Sequence, residues 1–159
     1  MLVEEAFGND VPELGHEASG APFLVGRRES VSVSHCRGLA VLAIDCRGGA
    51  IGVDAESCGR GVQLSRVKAR FLSDGQSAWG TSEALLLRGW TIKEAVYKFA
   101  GVVGLPLCDI PLPDVGFAAD EWPAAEPAWV DVPGGRCAQL RKIVLPAFAG
   151  CITLASEKV

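Results

Sequence analysis

Leu39-Ala40-Val41-Leu42-Ala43-Ile44-Asp45-Cys46-Arg47-Gly48-Gly49-Ala50-Ile51-Gly52-Val53-Asp54-Ala55-Glu56 is the stretch on which the fold turns. Leu39 to Cys46 is an apolar run of the length of a buried strand. Arg47-Gly48-Gly49 is a turn, and Ala50 to Glu56 is a second β-prone run. Two strands around a three-residue loop predict a hairpin. Asp54 and Glu56 stand two apart, and strand side chains alternate faces, so both carboxylates project the same way.

On the amino-terminal side, Val31 to Val33 alternates and predicts a short strand, and Gly15 to Pro22 is turn-rich. The first 26 residues hold five acids and no Lys or Arg. On the carboxy-terminal side the period changes. Val62 to Leu72 has helical spacing, Ser73 can cap a second helix through Ser77 to Arg88, and Thr91 can cap a third that stops at Gly101. Leu105 to Gly135 holds most of the prolines and reads as loops with one or two short strands. Arg136 to Leu145 and Phe148 to Ala155 read as a closing hairpin through Pro146. Strands, then helices, then strands predict an α+β fold with an antiparallel sheet packed against helices.

At 159 residues, 49% hydrophobic and 21% charged, the chain is long and apolar enough for one globular domain. A net charge of −4 gives no general attraction to nucleic acid or to membranes. The apolar stretches fall well short of a membrane span and no signal peptide is legible, so a cytoplasmic protein is expected. The six cysteines form no C-x-x-C pair, and His16 and His35 are the only histidines, which argues against structural zinc. Most of the cysteines are expected to be small core residues without disulfides.

Each chemically interesting group has two readings. Asp54 and Glu56 fit either a solvated strand face or a bound cation, which would relieve their mutual repulsion. Glu94 fits either a capping box with Thr91 and an i, i+4 pair with Lys98, or a site shared with the other two acids. Ser34-His35-Cys36-Arg37-Gly38 lies between two strands and fits either a structural turn or a phosphate contact. Arg60, Arg66, Lys68 and Arg70 form a stretch without acids that is either a solvated face or a dock for an acidic partner.

Taken in order, these pieces resemble the 4′-phosphopantetheinyl transferase superfamily. Its pattern runs from a Ser-His-Ser/Thr turn through G-V/I-D-I/V/L-E to W-S/T-x-K-E-A/S-x-x-K. Here the pieces are Ser34-His35-Cys36, Gly52-Val53-Asp54-Ala55-Glu56, and Trp90-Thr91-Ile92-Lys93-Glu94-Ala95-Val96-Tyr97-Lys98. Arg70-Phe71-Leu72-Ser73 is similar to the family's R-F-F/L-S/T, and His16 to Leu24 to its G-K-P-x-L segment. The likeness runs from His16 to Gly101.

The resemblance implies a holo-acyl-carrier-protein synthase type of fold and activity. Phosphopantetheine would pass from coenzyme A to a serine of an acyl or peptidyl carrier protein, with Mg²⁺ as cofactor. It implies Asp54, Glu56 and Glu94 as metal ligands, and Lys98 as the group that neutralises the diphosphate. It further implies contacts of Ser34 and His35 to the coenzyme A phosphates, with Lys93 near the same groups. Glu94 is the best candidate for the base that activates the carrier serine. The basic stretch would meet the carrier protein. Larger members have two similar halves, so residues 1–30 are read as a short remnant before a transferase-like domain at 31–159. Self-association, as in the small trimeric synthases, is one way to complete the cleft. The alternative is an inactive relative that binds carrier proteins without turnover.

Overall fold

The computed structural model describes residues 2–118 and 126–157. A short helix α1 (Leu2–Phe7) leads into four strands: β1 (Leu14–His16), β2 (Pro22–Leu24), β3 (Ser30–Cys36) and β4 (Leu39–Asp45). They form an antiparallel sheet in that order. Phe23 of β2 pairs with Ser30 of β3, so the expected boundary at residue 30 falls inside this sheet. Then come β5 (Ile51–Ser57), α2 (Gly61–Val67) and the long α3 (Glu83–Ala100). The chain closes with β6 (Ala128–Val132), β7 (Arg136–Ile143) and β8 (Gly150–Ser156). These last strands and β5 make a second antiparallel sheet, in the order β5-β8-β7-β6. The architecture is α+β, as expected, with two sheets where one was read.

The expected β4–β5 hairpin does not form. β4 pairs with β3, and β5 pairs with β8, Asp54 lying opposite Thr153. The reason is that β5 is covered on both faces. Val53 and Ala55, with Ile152, pack on Leu39, Val41 and Ala43 of the first sheet. Gly52, on the other face, meets α3. β4 therefore contributes side chains to β5 and no backbone ladder. The outward N–H groups of Val53 and Ala55 are taken instead by the hydroxyls of Ser32 (3.0 Å) and Ser34 (3.1 Å) on β3. Two serines join the sheets where main-chain pairing is absent, which satisfies buried donors that would otherwise be costly.

The helices also differ from expectation. Ser73 does form a capping box, with Gln76, but it opens a 3-10 segment at Asp74–Gly80. Ser82 caps α3, which then runs unbroken through Gly89 and Thr91 to Gly101, where φ of +63° ends it. Thr91 caps nothing. It is fully buried, and its hydroxyl meets that of Thr153 on β8 at 3.0 Å. Gly89 is tolerated mid-helix because a Cβ there would lie 3.3 Å from the Trp79 ring. The glycine makes room for a tryptophan and does not break the helix.

Ile92, Val96 and Phe99 of α3 pack with Leu140, Ala138 and Ala155 of the second sheet to form the main core. Leu64 of α2, Phe71, Leu86 and Leu87 form a second cluster, with Trp90 edge-on to Phe71 at 5.2 Å. No cysteine is fully buried in these cores, and Cys151 only borders the second cluster. Cys46, Cys58 and Cys137 are exposed, Cys36, Cys108 and Cys151 are half-buried, and none of the six forms a disulfide. The most tightly packed positions are held by Phe, Leu, Ile, Val and Ala instead. No described helix is long and apolar enough to cross a membrane.

Candidate active site at the β5–α3 contact

The site begins with a glycine. A Cβ at Gly52 would lie 2.0 Å from the Ala95 carbonyl oxygen and 2.6 Å from the Phe99 nitrogen. The helix backbone thus rests directly on β5, a separation only glycine permits. Two and four residues further along the same face stand Asp54 and Glu56. From α3, Glu94 stands one residue before Ala95 and Lys98 three residues after it. The two acidic motifs of the sequence meet at this contact.

Asp54, Glu56, Glu94 and Lys98 line one cavity of about 380 Å³, with Ser34, His35, Arg60, Trp90 and Val33. Both strand carboxylates are buried, at 6% and 7% exposure, so the solvated-face reading fails. Asp54 Oδ1 accepts from Ser34 Oγ and from Lys98 Nζ, each at 2.9 Å. Asp54 Oδ2 is buried and has no hydrogen-bond partner. Lys98 also donates to the Val53 carbonyl at 2.9 Å, which holds it flat against the strand. Glu56 forms an ion pair with Arg60, whose guanidinium lies 5.3 Å over the Trp90 ring.

Burial pushes the Glu94 carboxyl above the usual carboxylate range, and the Asp54 charge pushes it further. Lys98 and Arg60 pull it partly back. With Glu94 inside an unbroken helix, Thr91 is not its capping partner, and that structural explanation is gone. Burial also raises the Cys36 thiol, with Asp54 adding to the effect. Cys36 therefore stays protonated, and with His35 exposed beside it on β3 the pair makes no activated nucleophile.

Ser34-His35-Cys36 is the end of strand β3, not a turn; the turn follows at Arg37-Gly38. Ser34 faces inward and braces Asp54, while His35 stands exposed at the rim. Lys93 is the one expected site residue that lies elsewhere. It is fully buried on the far side of α3, where its ammonium donates to the carbonyls of Leu107 (2.8 Å) and Ile110. Desolvation lowers it to about 8. Consecutive helical positions point about 100° apart, so Lys93 and Glu94 cannot serve one cavity from this helix.

The cavity also takes in residues to which the sequence assigned no site role. Arg60 reads as part of a basic stretch, and Trp90 as a motif letter. Arg60 stands four residues after Glu56, but the chain leaves the strand between them at Ser57, so helical spacing gave no signal. Arg66, Lys68 and Arg70 are exposed on the surface beside it. A second cavity, of about 270 Å³, lies alongside and shares Lys98 and Val33. It is lined by Glu17, Pro22, Tyr97 and Val102, among others.

The donor set suits a hard divalent cation: carboxylates, one with an unpaired buried oxygen, next to an open polar cavity. As the side chains stand, no three His, Cys, Asp or Glu among the described residues are grouped closely enough to hold an ion. Glu56 is turned onto Arg60. A comparison with protein-family models and with curated proteins finds no match for this chain.

Proposed function

We propose that this protein transfers phosphopantetheine from coenzyme A to a carrier-protein serine. The observation that supports this best is the convergence of Asp54, Glu56, Glu94 and Lys98 on one cavity, with one buried oxygen of Asp54 left without a donor. A structural domain gains nothing from assembling three acids around one cavity, because like charges at low exposure repel. A site for a cation and a polyphosphate does. Mg²⁺ would be held by Asp54, Glu56 and Glu94 and would supply charge neutralisation at the diphosphate.

The chain's own groups divide the remaining work. The transfer forms a bond from the carrier serine oxygen to the pantetheine-bearing phosphorus. It breaks the bridging P–O bond, and adenosine 3′,5′-bisphosphate leaves. Such a displacement depends mainly on positioning and on charge stabilisation. Lys98 has three donors, two of them committed to Asp54 and Val53, so one remains for a phosphate oxygen. Ser34 does not reach out to the substrate, since its hydroxyl is engaged by Asp54 and by the Ala55 N–H; its role is to fix Asp54. His35 at the rim is free to meet a phosphate. Glu94, which faces the same cavity, is the candidate to accept the serine proton. The exposed Arg66, Lys68 and Arg70 offer a basic face to an acidic carrier.

The test is incubation with coenzyme A, Mg²⁺ and apo carrier proteins of fatty acid, polyketide and peptide synthesis, read by the mass of the added group. Labelling that is abolished in Asp54→Asn is expected. A folded protein that labels none of the carriers, yet binds them with Asp54→Asn unaffected, would establish the non-catalytic alternative.

A further inference from the structure

Arg60 is the charged group whose position the proposed reaction leaves unexplained. Its guanidinium is part-exposed, at 42%, yet is held from two sides: by the buried Glu56 carboxylate and by the face of Trp90 at 5.3 Å. Glu56 is one of the three acids that the transfer reading assigns to the cation. The guanidinium and a divalent ion are both cationic and both seek this carboxylate. They repel at that separation, so Glu56 cannot serve both at full strength.

We infer that Arg60 is a resident counter-cation which a divalent ion displaces from Glu56, and that the released guanidinium, retained over Trp90, becomes a contact for the anionic co-substrate. Arg60 is then a positioning residue, and it makes cation binding and diphosphate binding mutually reinforcing. Three observations carry this. The ion pair occupies Glu56, no three His, Cys, Asp or Glu among the described residues stand close enough together to hold an ion, and Trp90 gives the guanidinium a second anchor beside the cavity that both line. A guanidinium over an aromatic ring keeps its outward N–H fork free for phosphate oxygens. The inference rests on the transfer reading for the identity of the metal ligands.

The experiment titrates Mn²⁺ against the full chain and follows free Mn²⁺ by electron paramagnetic resonance, with and without coenzyme A. In the absence of coenzyme A, Arg60→Gln is expected to bind Mn²⁺ up to about five-fold more tightly, the size of a part-exposed ion pair. Coenzyme A should tighten Mn²⁺ binding in the wild type and do so markedly less in Arg60→Gln. Arg28→Gln makes the same charge change at an exposed residue that does not line the cavity and should behave as wild type. Trp90→Leu, with folding checked by circular dichroism, should lose the coenzyme A effect while keeping Mn²⁺ binding. Asp54-dependent Mn²⁺ binding that is identical in wild type and Arg60→Gln, with the same response to coenzyme A, overturns the inference and leaves the metal site standing. Mn²⁺ binding that is unaffected by Asp54→Asn overturns the metal reading, and this inference with it.

Discussion

Gly52→Ala tests whether the site and the fold depend on one contact. The added Cβ would sit 2.0 Å from the Ala95 oxygen, whereas real Cβ atoms essentially never approach below 3.0 Å. The obstructing atoms all belong to the helix backbone, so no side chain can rotate away. α3 has to retreat from β5 by about 1 Å, at the overpacking cost of roughly 1–3 kcal/mol. For a chain of this size that lowers the melting temperature by about 3–10 °C. The same movement lengthens the 2.9 Å contacts from Lys98 to Asp54 and Val53 and draws Glu94 away from the strand acids. A displacement of about 1 Å at reacting groups costs on the order of 10²-fold in rate. Thermal or urea unfolding gives the first number, and carrier labelling under single-turnover conditions gives the second. Gly59→Ala is the control, because nothing lies within 4 Å of its Cβ position. If the two variants melt within about 1 °C of each other, α3 does not rest on Gly52 and the reasoning fails.

Glu94→Gln should reduce transfer by about 10²–10⁴-fold if Glu94 is the base. Because the folded-state pKa of Glu94 is raised, the folded chain holds a proton that the unfolded chain has released, so its charge costs stability as pH rises through that window. The variant should therefore be more stable than wild type at neutral pH, and the gain should vanish below the ordinary carboxylate range, as checked by melts across acid pH. Lys93 has the opposite sign: with its pKa lowered from 10.5 to about 8, stability should rise between those pH values, by about 3 kcal/mol. That rise should be missing in Lys93→Met, read as the difference between the two proteins in urea unfolding from neutral to alkaline pH. Ser34→Ala removes one of the two donors to Asp54 Oδ1 and the acceptor of the Ala55 N–H, and should cost about 1–3 kcal/mol in the same unfolding assay.

The site was more legible in the sequence than the fold that builds it. Period-two spacing put Asp54 and Glu56 on one face, and the i, i+4 relation put Glu94 and Lys98 on another. Both are local facts of backbone geometry that survive any topology. The pairing of β5 was not local. A short loop after an apolar run looks like a hairpin, and only the apolar faces of β3–β4 and β8 together show that Val53 and Ala55 need side-chain cover from one sheet and a ladder from the other. Thr91 misled because its local sequence, Thr91 to Glu94, has the form of a capping box. What overrode it was Trp79, packed against Gly89, which lets the helix pass through. Lys93 misled for a related reason. Its neighbour in the motif is Glu94, but a helix turns adjacent residues apart, and the carbonyls of Leu107 and Ile110 that receive it lie in a segment with little periodicity of its own.

The two hydroxyls that tie β3 to β5 have a further consequence. Main-chain ladders are indifferent to side-chain identity, so most neighbouring strands stay joined through almost any substitution. This seam is written in side chains alone, at Ser32 and Ser34, and the second of them also holds the carboxylate at the heart of the cavity. Part of the attachment of one sheet to the other, and the setting of the acid, are thus inherited together at the Ser34 codon, and drift at that position would loosen the seam and free the Asp54 carboxylate in the same step.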